Sequence, residues 1–150
     1  MIAQVTDAAG ALGNVIWSHD PAVTAGPAPA ADVALIAPQQ GMIGPASFAI
    51  NGMRNSMPRD NVEVHGGVTA LGTSETMGLI VPGMYVPSMS GMWANLYFTT
   101  TAASVPGDSG AAVLAAGTSD IVGHIVSGAA GLTSYFQSID VQLQATGCVL

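Results

Sequence analysis

One serine in this sequence has neighbours that suit it to nucleophilic chemistry. Ser109 directly follows Asp108 and lies between Gly107 and Gly110, in the stretch VPGDSGAAV. A serine that attacks a carbonyl needs an accessible hydroxyl, and it needs backbone N–H donors aimed at the oxygen that becomes negative. The two glycines permit a tight turn in which the N–H groups of Gly107 and Ser109 converge. The same letters are also common in plain surface turns, so the four residues alone leave a purely structural turn open.

The composition favours a β-rich globular protein that does not bind nucleic acid. Hydrophobic residues make up 49% of the 150 residues, and 19 residues are glycine. Short segments rich in Val, Ile, Ala and Thr, separated by Gly, Pro, Ser and Asn, favour many short strands over long helices. The net charge is −7 and the only basic side chains are Arg54 and Arg59. The sequence therefore offers no basic patch for a phosphate backbone.

Other signals concern location, cysteine chemistry and cofactors. A chain that is only 7% charged suits a secreted bacterial protein, yet MIAQVTDAAG lacks the pattern of a signal peptide, so we expect an already processed chain. No apolar run is long enough for a membrane span. Cys148 is the single cysteine, which excludes an internal disulfide. His19, His65 and His124 share no HxH or HExxH spacing, so we expect neither a metal nor a cofactor.

Strand candidates follow one another at regular intervals after Gly41, and this spacing predicts a closed barrel or a sandwich. They are IGPASFAI, DNVEVHGG, TMGLIVPG, ANLYFTT, AAVLAA, DIVGHIVSG and SYFQSI. Before them, IAQVTD, GNVIW and ADVALI are further strand candidates, and SHDPAVTAGPAPAA is predicted to be a surface loop. The last segment, SIDVQLQATGCVL, fits either a strand or a short helix.

Four segments together resemble the trypsin and chymotrypsin-like serine proteases, and among them the bacterial streptogrisin and α-lytic-like branch. GDSGAAVL followed by DIVGHIVSGAAG is similar to the nucleophile region, and ADVALI is similar to the segment that carries the triad aspartate. NVEVHGGVTALGTSETMGLI resembles the first hairpin of the second barrel, and TSYFQSI resembles the branch's penultimate segment. The likeness covers roughly residues 11 to 150.

The resemblance implies an all-β fold built on chymotrypsin-like antiparallel barrels. We expect residues 41–150 to form a complete C-terminal barrel that carries the nucleophile. Residues 1–40 would supply remnant strands of the N-terminal barrel and the Pro/Ala-rich loop.

The resemblance also assigns catalytic roles. Ser109 would be the nucleophile, and the N–H groups of Gly107 and Ser109 would form the oxyanion hole. Asp32 would orient the base and accept a hydrogen bond from Ser127. Asp108 would point away from the substrate and need a partner of its own.

A substrate pocket is implied beside the nucleophile. Ala103 and Ser104 would lie near its floor, and Ser127, Gly128 and Ala129 would form an edge that pairs with an extended substrate. None of these residues is acidic, so the pocket should prefer an uncharged, small to medium apolar group.

The partner of Asp108 is predicted from the cost of burying an unpaired carboxylate. In the bacterial branch an arginine near the start of the second-barrel hairpin has this role. Our hypothesis is that His65 or Arg54 takes its place here, and the alternative is that His65 is an ordinary polar residue on a strand.

A histidine that clearly matches the family's general base is not found in the sequence. The family's Thr-Ala-Ala/Gly-His segment has no match, and we expect the chain to begin after it. His19, thirteen positions before Asp32, is predicted to be a loop histidine, with the role of base as the alternative. His124 should face away from Ser127 by strand alternation and form part of the core or a pocket wall. The exposed strand edges of an incomplete N-terminal barrel predict a homodimer or a strand-exchanged oligomer.

Several functions remain open at this point. The first is a serine hydrolase that cleaves peptide or ester bonds through an acyl-enzyme on Ser109. A small esterase with an irregular triad is a variant of it, because an ester has a better leaving group than an amide and tolerates a weak base. The alternatives are a catalytically inactive protease-like module or fragment that binds peptides by strand addition, and a structural β-domain in which GDSG is only a turn.

Overall fold

The computed structural model describes residues 4–7, 10–19, 31, 33–39, 49–80, 95–129 and 131–149. Ten strands and one helix lie in this described part of the chain. In chain order they are β1 Gln4–Asp7, β2 Gly10–His19, β3 Val33–Pro38, β4 Gly52–Met53, β5 Asn61–His65, β6 Gly72–Ile80, β7 Leu96–Thr99, β8 Ala112–Ala115, β9 Asp120–Ala129, β10 Thr133–Ser138 and α1 Ile139–Thr146.

Six of these strands close into an antiparallel barrel. The order around the barrel is β5, β6, β7, β10, β9 and β8, and the pairing of β8 with β5 closes it. The short strand β4 adds to β9 in parallel orientation. The prediction of an all-β fold with a complete barrel in the second half of the sequence is confirmed.

The barrel core comes from the alternation of apolar and polar residues along the strands. Val62 and Val64 of β5 are buried, whereas Glu63 between them is partly exposed. Their neighbours in the core include Val122 and Phe136, and the ring of Phe136 stacks on Tyr97 with 5.2 Å between ring centroids. The segment that carries Ser109 joins this core through the buried Val113 and Leu114 of β8.

The first part of the chain forms a separate antiparallel sheet in the order β1, β2, β3. Strand β2 continues through Ser18 and His19, so the prediction that a loop begins at Ser18 is wrong. Main-chain pairing with Val33 and Ala34 of β3 extends the strand across this point. Most of the predicted strand IGPASFAI lies outside the described residues.

The choice left open for the C-terminal segment is settled in favour of a helix. Helix α1 follows β10 directly and ends at Thr146; the next residue, Gly147, has a φ of 69°, a left-handed conformation that glycine adopts without strain. Among the described residues, no helix is long and apolar enough to cross a bilayer.

Two buried serines on β10 differ in their hydrogen bonds, which generates a stability prediction. The Ser134 hydroxyl accepts hydrogen bonds from the N–H groups of Ala103 and Ser104 at 3.0 and 3.1 Å. The Ser138 hydroxyl is buried without a hydrogen-bond partner among the described residues. Ser134→Ala should therefore lower the free energy of unfolding by about 1–3 kcal/mol, because the buried N–H of Ala103 and the partly buried N–H of Ser104 lose their acceptor. Ser138→Ala should not lower it, because the substitution removes a buried hydroxyl that makes no hydrogen bond among the described residues.

Urea denaturation of the two variants measures this difference, and each variant serves as the control for the other. Equal losses in both variants would contradict the assignment of the Ser134 hydroxyl as a structural acceptor.

Candidate active site

Ser109 is exposed at the tip of a tight turn that precedes β8. The N–H of Asp108 donates to the carbonyl of Val105 at 3.1 Å, and the N–H of Ala111 donates to the carbonyl of Asp108 at 2.9 Å. Gly107 has a φ of 104°, a conformation that residues with a side chain rarely adopt. The glycine therefore allows the chain to reverse just before the serine and leaves the hydroxyl at the surface.

The backbone donors needed for an oxyanion hole are available at this turn. Within the described part of the chain, the N–H groups of Gly107 and Ser109 donate no hydrogen bond. The neighbouring N–H of Gly110, by contrast, is occupied by the carbonyl of Ile125 at 2.7 Å. The N–H groups of Asp108, Gly110 and Ala111 thus hold the backbone of the turn. Those of Gly107 and Ser109, the two predicted oxyanion donors, are left unoccupied among the described residues.

Asp108 is buried beneath the turn, and its carboxylate accepts hydrogen bonds from the loop that connects β5 to β6. One oxygen accepts from the N–H groups of Val68 at 2.9 Å and Thr69 at 3.2 Å. The other accepts from the hydroxyl of Thr69 and from the N–H of Val105 at 3.0 Å. Burial by itself would raise the pKa of Asp108, but the hydrogen bonds from Thr69, Val105 and Val68 lower it to about 2.

The hypothesis that His65 or Arg54 holds Asp108 is therefore wrong. Arg54 donates instead to Asp60 at 2.6 Å, and Nε2 of His65 lies 3.5 Å from a carboxylate oxygen of Glu63. The physical reason is that backbone N–H groups and one hydroxyl stabilise the buried charge without a cation. Sequence reasoning missed Val68 and Thr69 because a backbone donor has no characteristic residue type.

Gly66 makes this arrangement possible by its lack of a side chain. A Cβ atom at this position would overlap the carboxylate of Asp108. The loop of the β5–β6 hairpin therefore lies directly against the nucleophile turn, and the two segments position each other.

A first cavity of about 250 Å³ opens beside Ser109. Its walls come from the segment before the nucleophile, from the end of β9 and from the start of β10. The lining residues are Ser104, Val105, Pro106, Ser109, Ile125, Val126, Ser127, Gly128, Ala129 and Thr133. The structure thus brings together four of the five predicted pocket residues, whereas Ala103 is buried behind the wall and does not line the cavity.

A second cavity, of about 470 Å³, is also lined by Ser109. Val33 and Ala34 of β3 line it together with Ser109 and His124. Strand β3 of the first sheet thus lines the same cavity as the turn at Ser109. A group that takes a proton from Ser109 would have room here.

The predicted triad residues and His124 lie near the second cavity or outside the described residues. Asp32 lies outside the described residues, although the next residue, Val33, lines the second cavity. The backbone of His19 ends β2 and pairs with Val33. His124 lines the second cavity, and Ser127 lines the first. Over the described ranges, no three His, Cys, Asp or Glu residues are grouped so that they could hold a metal ion.

Comparison with solved structures shows the same fold in bacterial serine proteases. Cellulomonas bogoriensis chymotrypsin superimposes with a TM-score of 0.67 at 22% identity, covering 90% of this chain and 73% of that one. A glutamic acid specific serine protease gives a TM-score of 0.67 at 20% identity, covering 97% and 78%. Nocardiopsis protease gives 0.52 at 19% identity, covering 63% and 49%.

These matches confirm the predicted chymotrypsin-like fold. The chain spans about half the length of the Nocardiopsis protease that it matches. No protein-family model matches the sequence, and the search of curated proteins gives no match.

The hydrogen bonds around Asp108 predict how stability depends on acid. Because its pKa in the folded protein is about 2, below the ordinary value of 3.8, the carboxylate stabilises the fold above pH 3.8. This contribution is lost as the pH falls through about 2. We expect the free energy of unfolding to decrease from pH 4 to pH 2, and Asp108→Asn should make this decrease smaller.

Chemical denaturation at several pH values tests this dependence. Asp140→Asn is the control, because it removes the same formal charge from the first turn of α1. The account of Asp108 is contradicted if Asp108→Asn keeps the full acid dependence of the unmodified chain.

Proposed function

We propose that the chain is a serine hydrolase of chymotrypsin-like fold that cleaves peptide or ester bonds through an acyl-enzyme on Ser109. The observation that carries this proposal is the position of Ser109. Ser109 is exposed, lines two cavities and follows a buried aspartate, and the N–H groups of Gly107 and Ser109 donate no hydrogen bond within the described part of the chain. A plain surface turn requires none of these features.

The proposed reaction has two steps. In the first, Oγ of Ser109 forms a bond to the carbonyl carbon of the substrate while its proton passes through a base to the leaving amine or alcohol. The N–H groups of Gly107 and Ser109 stabilise the negative oxygen, and the bond to the leaving group breaks. In the second step, water attacks the acyl-enzyme, releases the acid and returns the proton to Ser109.

We place the base on the side of the second cavity. The register supports this placement, because His19 pairs with Val33, and Val33 lines that cavity with Ser109. Asp32, which directly precedes Val33, is the residue proposed to orient the base. His124 lines the same cavity and is a second candidate for the base.

The first cavity is the proposed substrate pocket, and its lining favours uncharged groups. No acidic or basic residue is among the described residues that form its walls. One structural neighbour is a glutamic acid specific protease that uses a histidine triad in substrate binding. No histidine lines the first cavity of this chain in its described part, which supports a different preference.

A second candidate function is a peptide-binding module without catalysis. Residues 127–129 pair with β10 on one side, whereas their other edge has no strand partner among the described strands. An extended peptide can add to such an edge by main-chain hydrogen bonds. This binding does not require a base. A misplaced base would therefore leave it intact, whereas amide hydrolysis would be lost first and ester hydrolysis later.

Covalent labelling separates these candidates. A fluorophosphonate probe should modify Ser109 of the folded protein, and Ser109→Ala should abolish the label. His19→Ala and His124→Ala should identify the base, because the variant that removes it should lower the labelling rate at least about tenfold. A folded protein that takes no label and hydrolyses no p-nitrophenyl ester would favour the peptide-binding module.

We also propose that the protein self-associates and is secreted. The composition of its surface supports this proposal. The three-stranded sheet exposes Ile16, Trp17 and Ile36, and few charges are available to separate the molecules. Light scattering coupled to size exclusion should show a dimer or a larger oligomer. A monomer at all concentrations tested would contradict self-association.

A further inference from the structure

The hydroxyl groups around the first cavity have defined donor and acceptor roles, which follow from counting their hydrogen bonds. A serine or threonine hydroxyl has one proton to donate and two lone pairs that accept. The Ser134 hydroxyl is fully buried and accepts from the N–H groups of Ala103 and Ser104. Both of its lone pairs are therefore used, and its proton must go to the third neighbour, the Ser104 hydroxyl at 2.7 Å.

This assignment fixes what Ser104 presents to the cavity. Because its hydroxyl accepts from Ser134, its own proton is left to donate elsewhere. Among the described residues it has no second hydrogen-bond partner, and Ser104 lines the first cavity. The wall at Ser104 thus carries a hydrogen-bond donor whose position is fixed by a buried serine.

Thr133 has the complementary role. Its hydroxyl donates to the carbonyl of Thr99 at 2.6 Å. Its proton is therefore used, and only lone pairs remain for a ligand. Since Thr133 also lines the first cavity, the same cavity offers one donor and one acceptor.

We propose that this cavity selects a carboxamide side chain, glutamine or asparagine, on the acyl side of the bond that is cleaved. The carboxamide oxygen accepts from Ser104, and the carboxamide N–H₂ donates to Thr133. A carboxylate fits less well, because it offers no proton to Thr133 and no cationic side chain among the described lining residues compensates its charge. A purely apolar side chain leaves the Ser104 donor without an acceptor. This inference rests on the proposed function for its chemistry, and it narrows the preference from uncharged groups to one class.

Binding measurements test the inference independently of catalysis. Fluorescence anisotropy would give the affinity of the Ser109→Ala protein for short peptides that end in glutamine, methionine or glutamate, which have side chains of similar length. We expect the glutamine peptide to bind about tenfold more tightly than the other two, as one or two neutral hydrogen bonds allow.

Two further substitutions locate the preference. Added to Ser109→Ala, either Ser104→Ala or Thr133→Val should remove most of the advantage of glutamine over methionine. Ser104→Thr should restore it because it keeps the hydroxyl. Ser138→Ala is the matched control, a buried serine of β10 outside the cavity, and should keep the advantage.

The outcomes distinguish this inference from the proposed function. Equal binding of the three peptides, or a preference that survives both cavity substitutions, overturns carboxamide selection even if Ser109 takes a fluorophosphonate label. A glutamine preference that depends on Ser104 supports carboxamide selection by the cavity; if Ser109 then takes no label, the hydrolase proposal fails and the cavity is a carboxamide-binding site without cleavage.

Discussion

The structure of the candidate site depends on one buried charge, the carboxylate of Asp108. Four hydrogen bonds from the β5–β6 loop and from Val105 hold it in place. These contacts join two segments that are about forty residues apart in sequence, and they fix the residue next to Ser109. An unpaired carboxylate in such a place would be costly, so the packing of the loop against the turn at Ser109 stabilises both segments. The exposed hydroxyl and the unoccupied N–H groups are consequences of this constraint.

The barrel provides the other requirement, which is a rigid frame on both sides of the turn. Strand β8 continues from the nucleophile turn into the core through the buried Val113 and Leu114. Strand β9 runs beside it and contributes His124 to one cavity and Ser127 to the other. A single pair of adjacent strands therefore positions Ser109, residues 127–129 and the part of the second cavity wall formed by His124.

Much of this could be predicted from the sequence, because the deciding signals are local. Alternation at Val62, Glu63 and Val64 indicates a strand, and the glycines around Asp108 and Ser109 indicate the turn. What the sequence could not provide is any contact made by the main chain or by residues far apart. The N–H groups of Val68 and Thr69 carry no signature in the letters, so a charged or titratable partner was predicted for Asp108 instead. The hydroxyl of Ser134 meets the N–H of Ala103, thirty-one positions earlier, only through the register of the barrel. The end of β2 at His19 was placed in a loop because nothing local shows that β3 pairs with it.

The most direct test of this account is the rate at which a fluorophosphonate labels Ser109 when the support of Asp108 is weakened but the nucleophile is kept. Thr69→Val removes the hydroxyl donor to Asp108 and preserves the shape of the side chain. The account predicts that this variant stays folded and that its labelling rate falls several-fold, because the turn that presents Ser109 loses part of its anchor. A labelling rate equal to that of the unmodified protein would contradict the claim that the buried carboxylate positions the site.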